Sequence, residues 1–366
     1  MDQTDPITRV LGEGIQAGVF PGAVLFVRHK GQIRVHQAIG QISSSSNSPL
    51  VHLHTIYDLA SLTKPLVTGS SILLLVQEGR LSLSQTLATI LAEIKCSPLG
   101  QISLKDVLSH QSGLPAWRPF YQSFSPVIPS EPEFRQQRMQ AVLEMILKEP
   151  IDRASSSTSV YSDLGYMVLG FIVERVTGQS LADISRERIF HPLQADDLAF
   201  GVHDLNGDVS GRIAPTEEDP WRGRVLQGEV HDENAGALGG IAGHAGLFGT
   251  AQAVGQITKA WLDSFLGKPS IFRQEFVRQF VNAQPGTSWA LGWDTPSHPS
   301  SSGQWFSPQS FGHLGFTGTS IWIDPIRELE VIFLSNRVHP TRDNQAIKAF
   351  RPQLHDVVIQ GLSVSL

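Results

Sequence analysis

A serine and a lysine three residues apart, Ser61 and Lys64, begin a long apolar segment of the chain. Pro65 has no backbone N–H and is tolerated only in the first turn of a helix, so a helix must begin close to Ser61. Residues three apart in a helix share a face, which places Lys64 within reach of the Ser61 hydroxyl. A serine hydroxyl is a weak nucleophile that needs an adjacent base. The pair therefore indicates nucleophilic catalysis.

Lysine accepts a proton only when it is neutral, so the pKa of Lys64 would have to fall from about 10.4. Burial and a nearby cation or polar network would lower it. The helix N-terminus also favours negative charge developing on Ser61 Oγ. The same spacing arises by chance, however, and a helix-capping serine with a surface lysine is the alternative interpretation. Other parts of the chain must decide between the two.

Two further segments carry residue types that can do chemistry. Tyr161 and Asp163 stand just before an apolar helix, where Ser162 or Asp163 is also a natural N-cap. Near the other end of the chain, His313 lies on a predicted strand flanked by glycines, which let a ligand approach the backbone closely. Core packing for Tyr161 and a plain sheet edge for His313 remain open as structural alternatives.

Strands are predicted near both ends of the chain, at residues 23–29, 32–39, 289–293, 310–314, 319–323 and 331–334. Helices are predicted at 7–17, 66–76, 102–109, 139–148, 164–176 and 344–359, and after residue 251. This order predicts an α+β fold, in which one antiparallel sheet built from both chain ends is flanked by helices and carries an inserted helical lobe. Residues 1–60 and 270–366 would form the sheet-containing lobe and 61–269 the mainly helical lobe, with the active site between them.

The composition excludes several classes of function. With a net charge of −6, the chain offers no basic surface for nucleic acid. Cys96 is the only cysteine, which excludes a disulfide framework. No apolar run is long enough to span a membrane, and residues 1–6 do not resemble a signal peptide, so we expect a cytoplasmic protein. His52 and His54 lack the further ligands of a metal site, and we expect neither metal nor cofactor.

Taken together, Ser61, Lys64, Tyr161, Asp163 and the run His313-Leu314-Gly315 resemble the motifs of the serine β-lactamase and penicillin-binding superfamily in type, order and spacing. The similarity is closest to its class C β-lactamase-like esterase branch. Further similar stretches occur at residues 20–23, 109–115 and 246–251. The resemblance implies a β-lactamase/transpeptidase-like fold.

The resemblance also implies roles for individual residues. Ser61 would attack a carbonyl to give an acyl-enzyme, with Lys64 and Tyr161 sharing the base and proton-relay work before water releases the acid. The backbone N–H groups of Ser61 and Phe316 would form the oxyanion hole. An ionised Tyr161 would suit this work only if its neighbours lowered its pKa from about 10.

Two departures from the family pattern bear on the substrate. Asp163 replaces the usual asparagine, and a carboxylate there would hold Lys64 protonated and shift the base role toward Tyr161. Leu314 replaces a threonine or serine whose hydroxyl helps bind a substrate carboxylate in β-lactamases and DD-peptidases. His313 is also a weaker cation than lysine at pH 7. Both changes argue against β-lactams as the natural substrate.

The remaining polar cluster, residues 231–234, begins with His231 and Asp232 and runs toward a glycine-rich passage. It is either a polar loop or a substrate-contacting segment, and similar stretches occur in a subgroup that looks linked to cell-wall fragments. We expect a serine hydrolase that cleaves a small ester or amide. The alternatives are a D-amino-acid peptidase or weak β-lactamase acting on peptidoglycan fragments, and an inactive ligand-binding relative. The sequence does not indicate an oligomeric state.

Overall fold

The computed structural model of the chain describes residues 5–126, 132–152, 159–205 and 207–362. Its strands are β1 (Gly22–His29), β2 (Gln32–Gly40), β3 (Tyr57–Asp58), β4 (Leu198–Ala199), β5 (Glu218–Asp219), β6 (Arg224–Val225), β7 (Phe248–Gly249), β8 (Phe311–Leu314), β9 (Ser320–Asp324) and β10 (Leu329–Ser335). Its α-helices are α1 (Pro6–Gln16), α2 (Ser70–Gln77), α3 (Leu104–Leu108), α4 (Pro132–Ile146), α5 (Asp163–Thr177), α6 (Leu181–Ser185), α7 (Glu233–Ala237), α8 (Ala251–Phe265), α9 (Gln274–Phe280) and α10 (Ile347–Gly361).

Strands from both ends of the chain form one antiparallel sheet in the order β2-β1-β10-β9-β8. Strands β1 and β2 make a hairpin through Lys30 and Gly31, both of which adopt the positive φ that a tight hairpin turn requires. Strand β1 then pairs with β10 along its length. This arrangement confirms the predicted sheet.

One predicted strand is wrong. Residues 289–293 form a turn, in which the Ala290 N–H donates to Trp293 O and Gly292 has a φ of 93°. Only an isolated bridge joins Trp289 to Asp294. The apolar residues that suggested a strand are buried, but glycine in the left-handed region reverses the chain there.

Helices cover both faces of the sheet. Helix α8 packs on one face, where Arg28 of β1 donates to Gly255 O at 2.7 Å and pairs with Glu330 of β10 at 2.8 Å. On the other face, Phe20 packs edge-to-face against Phe350 of α10, with ring centroids 5.0 Å apart. Strands β1, β8, β9 and β10 are therefore largely buried, whereas β2 is partly exposed. The division of the chain into two lobes at residues 60 and 270 stays a prediction.

The predicted nucleophile helix is present but begins irregularly. A 3₁₀ turn at Ala60–Leu62 leads into a π-helical turn at Lys64–Gly69, after which α2 is regular. Pro65 lies at the start of the π-helical turn, where its missing N–H costs no hydrogen bond. Every residue from Leu62 to Leu75 is buried, as the apolar run predicted. π-helical turns inside helices frequently occur at functional sites.

Helix α5 presents the second predicted motif. It begins at Asp163 because the Ser162 side chain accepts a hydrogen bond from the Gly165 N–H at 3.2 Å, which makes Ser162 its N-cap. The helix ends at Gly178, whose φ of 73° forms a left-handed cap. Tyr161 and Asp163 are thereby fixed on either side of the cap. Within the described ranges, no helix is both long and apolar enough to cross a membrane.

Candidate active site

Ser61 lines a cleft of about 690 Å³. Apart from the buried Lys64, the other residues predicted from the sequence also line this cleft: Tyr161, Asp163, His231, Asp232, His313, Leu314, Gly315 and Phe316. Segments far apart in the sequence therefore converge on one place. Ala116 and Trp117 of the predicted long loop line it too, whereas residues 127–131 of that loop lie outside the described residues.

Lys64 is fully buried, and three oxygen atoms surround its ammonium group. Nζ lies 2.8 Å from Ser61 Oγ and 3.1 Å from the backbone O of His244. Asp163 Oδ1 is 2.6 Å from Nζ, a close ion pair whose angles are not those of a hydrogen bond. Lys64 therefore contacts the Ser61 hydroxyl on one side and a carboxylate on the other.

The electrostatics of the site keep Lys64 protonated. Burial alone would lower the pKa of Lys64, but the attraction of Asp163 and then of Tyr161 outweighs it and raises the pKa above its ordinary value. This agrees with the expectation that a carboxylate at position 163 would hold the lysine charged. Lys64 in the resting site is a proton donor, and it can accept the Ser61 proton only as it gives one of its own away.

Tyr161 completes the contacts around Ser61. Its ring centroid lies 4.8 Å from Lys64 Nζ. Interactions with Lys64 and Ser61 favour the ionised form of its hydroxyl and act to lower its pKa. Burial raises the pKa of Tyr161 more than the Lys64 charge lowers it, so the condition for an ionised Tyr161 is not met in the resting site. The ring packs against His110 and Trp289, which exclude water from it. Tyr161 is therefore neutral in the resting site.

The backbone around Ser61 is held in an uncommon conformation. Ala60 has a φ of 49°, in the left-handed region that side chains disfavour, and its N–H donates to Asp58 Oδ1 at 2.8 Å. The His231 N–H donates to the other oxygen of Asp58 at 2.6 Å. Backbone strain of this kind persists only where surrounding contacts over-determine it, and it is concentrated at functional sites.

Phe316, the predicted second oxyanion donor, has its ring packed against two other side chains. The His231 imidazole stacks on one face with ring centroids 5.6 Å apart, and the Arg337 guanidinium lies 4.4 Å from the ring centroid. Arg337 Nε also donates to Phe316 O at 2.9 Å. Ser61 and Phe316 both line the cleft, and the role of their N–H groups as an oxyanion hole stays a prediction.

Strand β8 brings His313, Leu314 and Gly315 to the cleft. Burial and the nearby Lys64 lower the pKa of His313 to about 3, so the ring is neutral at pH 7. A Cβ atom at Gly315 would lie 2.7 Å from Leu59 O, which shows that only glycine allows this close approach beside the nucleophile turn. Leu314 supplies an apolar side chain where the family motif has a hydroxyl.

The first two residues of segment 231–234 contact the catalytic side of the cleft. His231 Nε2 lies 2.8 Å from Glu217 Oε2, in addition to the stacking on Phe316. Asp232 caps α7 and is paired with His244 Nε2 at 2.8 Å, and the backbone O of His244 in turn binds Lys64. The pKa of Asp232 is lowered because His244 and the cap N–H outweigh its burial.

Glu233 and Asn234, the last two residues of segment 231–234, contact other parts of the cleft wall. Glu233 Oε1 accepts a hydrogen bond from Arg342 Nη2 at 2.7 Å. The Asn234 amide accepts from the Tyr121 N–H and donates to Arg118 O, both at 2.9 Å, and so anchors the loop that contains Trp117. The four residues therefore tie together the walls of the cleft, and a substrate contact for this segment stays a prediction.

Several residues of the site could not be identified as functional from the sequence when each was considered individually. These are His110, Glu217, His244, Trp289, Arg337, Arg342 and Arg351. Only His110 and the glycine-rich passage containing His244 lie in or beside stretches that resembled the family. Among the described residues, no group of three or more His, Cys, Asp or Glu side chains is placed to hold a metal ion.

Comparison with known proteins agrees with this geometry. A family model described as Beta-lactamase matches residues 7–354. The chain is 31% identical over 379 residues to a putative D-alanyl-D-alanine carboxypeptidase of Escherichia coli O157:H7, covering 94% of this chain and 85% of that protein. It is also 31% identical over 363 residues to an N-acetylmuramyl-L-alanine amidase of Bacillus subtilis (strain 168), covering 91% of this chain and 80% of that protein.

Solved structures show the same fold. A class C beta lactamase from Rhodobacter sphaeroides superposes with a TM-score of 0.69 at 22% identity, covering 98% of this chain and 100% of the other. At this level of identity the similarity concerns the fold alone. It confirms the α+β arrangement that the sequence predicted.

Proposed function

The chain belongs to the beta-lactamase family of serine hydrolases, and on this basis we propose that it hydrolyses an amide bond to an alanine in a cell-wall type fragment. The observation that carries the proposal is the contact network of Ser61, Lys64, Tyr161 and Asp163 inside one cleft. An inactive ligand-binding relative would not need these four side chains in contact. The reaction would proceed through an acyl group on Ser61 Oγ.

In this mechanism the charge state of the network decides the path of the proton. Ser61 Oγ attacks the carbonyl carbon, and its proton enters a network in which Lys64 is already protonated and Tyr161 is neutral. The negative charge that balances the network is the Asp163 carboxylate, 2.6 Å from Lys64 Nζ. Lys64 can therefore take the Ser61 proton, directly or through Tyr161, as it hands one of its own to Asp163.

The same network then serves the later steps. It returns the proton to the leaving nitrogen as the C–N bond breaks, which leaves the acyl-enzyme and a free amine. A water molecule next attacks the acyl carbonyl, gives its proton to the network and releases the carboxylic acid with regenerated Ser61. The N–H groups of Ser61 and Phe316 would stabilise the oxyanion in both steps, a contribution of about 3 kcal/mol for each donor.

The substrate class is supported by the names of the two relatives. A D-alanyl-D-alanine carboxypeptidase and an N-acetylmuramyl-L-alanine amidase both cleave an amide whose nitrogen belongs to an alanine. A small neutral ester is the second candidate, because the apolar Leu314 and the neutral His313 leave the β8 strand without a partner for a substrate carboxylate.

The test compares four compounds with the same protein: N-acetylmuramyl-L-alanine, N-acetyl-D-alanyl-D-alanine, p-nitrophenyl acetate and nitrocefin. We expect release of alanine from at least one of the first two, with a kcat/KM above that for nitrocefin. Ser61→Ala should abolish turnover and covalent labelling by a fluorophosphonate, whereas Ser46→Ala, at an exposed loop position, should change neither. Hydrolysis of the ester alone would refute the amide assignment in favour of an esterase.

A further inference from the structure

Arg337 is a buried cation that lines the cleft without a carboxylate partner. Its side chain reaches from the end of β10, and the residue is only 3% exposed. Nε donates to Phe316 O, and Nη1 donates to the backbone O of Arg342 and of Asn344. All three acceptors are neutral carbonyls. Within the described residues, Nη2 has no recorded acceptor.

Arg351 of α10 is the second such cation. It is 5% exposed and lines the same cleft. Nη2 donates to Gly315 O and Thr319 O, both at 2.7 Å. Its Nε is a buried donor with no partner, and no acceptor for Nη1 is recorded in the described part of the chain. The two arginines thus bind neighbouring backbone carbonyl groups, Arg337 that of Phe316 and Arg351 that of Gly315.

Other buried arginines of this chain are paired with carboxylates. Arg28 pairs with Glu330 at 2.8 Å, and Arg222 pairs with Asp219 at 2.7 Å. Buried charges are ordinarily neutralised in this way, because an unpaired charge pays the full cost of leaving water. Neither Arg337 nor Arg351 has a salt bridge to any described residue.

The environment of both arginines penalises their charge. Burial lowers the pKa of Arg337, and it lowers the pKa of Arg351 to about 9 with a further lowering from Arg337 itself. Glu217 favours the Arg337 charge, but its oxygens already bind His231 and Arg342. A bound anion would relieve this excess of positive charge.

We propose that Arg337 and Arg351 bind a carboxylate of the substrate, beside the oxyanion hole. This inference rests on the proposed function, since an alanine leaving group carries a carboxyl group one carbon from the scissile nitrogen. Guanidinium groups suit this role because their N–H donors match the planar carboxylate. The β8 strand, with Leu314 and a neutral His313, has lost its own means of binding a carboxylate. The two arginines supply a replacement on the other side of Phe316.

The first test measures binding to the Ser61→Ala protein by calorimetry, so that turnover does not interfere. The ligands are N-acetyl-D-alanyl-D-alanine and N-acetylmuramyl-L-alanine, each compared with the carboxamide in which the free carboxylate becomes a neutral amide. We expect each carboxylate to bind about ten- to a hundredfold more tightly than its carboxamide, the effect of a charge-assisted hydrogen bond. Equal affinities within both pairs would overturn the proposal, as would tighter binding of inorganic phosphate than of either carboxylate.

The second test locates the effect. Arg337→Gln and Arg351→Gln, made separately in the same background, should reduce the ratio of carboxylate to carboxamide affinity toward one. Lys348→Gln is the matched control, because it removes a charge of the same sign from an exposed side chain that also lines the cleft and should leave the ratio nearly unchanged. A ratio that survives both substitutions would place the carboxylate elsewhere.

The two proposals fail in different ways. If the wild-type enzyme hydrolyses the carboxylates and the carboxamides with equal kcat/KM, the arginine site is wrong while the proposed function stands. If it releases alanine from none of them, the proposed amide hydrolysis is wrong. The comparison of affinities in the Ser61→Ala protein, where both arginines are unchanged, does not require either arginine variant to fold.

Discussion

Replacing Asp163 by asparagine tests the central ion pair of the site. At 2.6 Å, the attraction between Lys64 Nζ and Asp163 Oδ1 amounts to about 6 kcal/mol for an effective dielectric constant of about 20. This is a gross value, and breaking a buried pair costs about 3–5 kcal/mol in measured cases. Because the Asp163 side chain is 18% exposed, we expect Asp163→Asn to lower the free energy of unfolding at pH 7 by about 3 kcal/mol.

The stability cost of Asp163→Asn should decrease as pH rises. In the native protein the pKa of Lys64 is raised, so the stability contributed by the pair is present at neutral pH and is lost only as pH rises above the ordinary lysine range. In the variant, burial remains without Asp163 and lowers the pKa of Lys64. The lysine then loses its proton on folding, and the cost of the substitution shrinks as pH rises.

The pH dependence of activity should change as well. In the native protein the Ser61 proton ends on the Asp163 carboxylate, whereas in Asp163→Asn it must end on Lys64, an amine that can accept it only when neutral. The acidic limb of the kcat/KM profile should therefore shift to higher pH in Asp163→Asn. The measurements are urea unfolding and the pH–rate profile of both proteins. Asp183→Asn is the control, because this carboxylate forms an exposed pair with Arg186 and should cost below about 1 kcal/mol without moving the profile. An unmoved profile together with a pH-independent stability cost would refute the argument and leave Asp163 as a helix residue alone.

Three further predictions concern the same site. Ser61→Ala should abolish turnover with an unchanged unfolding transition, and intact-mass spectrometry should find the fluorophosphonate adduct on Ser61; an adduct on another serine would contradict this. Tyr161→Phe and Lys64→Ala should each lower kcat by about 10²–10⁴, and the double variant should be little worse than either, since groups acting as a unit are not additive; additive losses would separate their roles. Leu314→Thr combined with His313→Lys should raise nitrocefin hydrolysis about ten- to a hundredfold relative to p-nitrophenyl acetate, by restoring a charged hydrogen bond to its carboxylate; an unchanged ratio would mean that β8 does not bind that group.

The sequence predicted the parts of this molecule that depend on local patterns. The buried helix after Ser61 follows from its apolar run and Pro65, and α5 follows from its N-cap at Ser162 and the left-handed Gly178. The contact of Lys64 with Ser61 follows from helical spacing alone. These features need only neighbouring residues to specify them.

Features that depend on burial and on distant partners were not predictable in the same way. The raised pKa of Tyr161 results mainly from its burial inside the fold, which the residue type does not reveal. Glu217 and Arg337 belong to no recognisable sequence motif. Their place in the site becomes apparent only because the fold brings them beside His231 and Phe316. The turn at Gly292 was misjudged because its apolar neighbours have the composition of a strand.

The segment 231–234 has a consequence for attempts to change the specificity of this enzyme. Each of its four side chains binds a different wall of the cleft, through His244, Arg342, Phe316 and the Tyr121 loop. Residues that share partners in this way show coupled rather than independent mutational effects. A directed-evolution library that varies the residues of one wall at a time would therefore consist mostly of variants in which these contacts across the cleft are lost. Libraries that randomise the segment jointly with its four partners should give a larger fraction of folded, active variants.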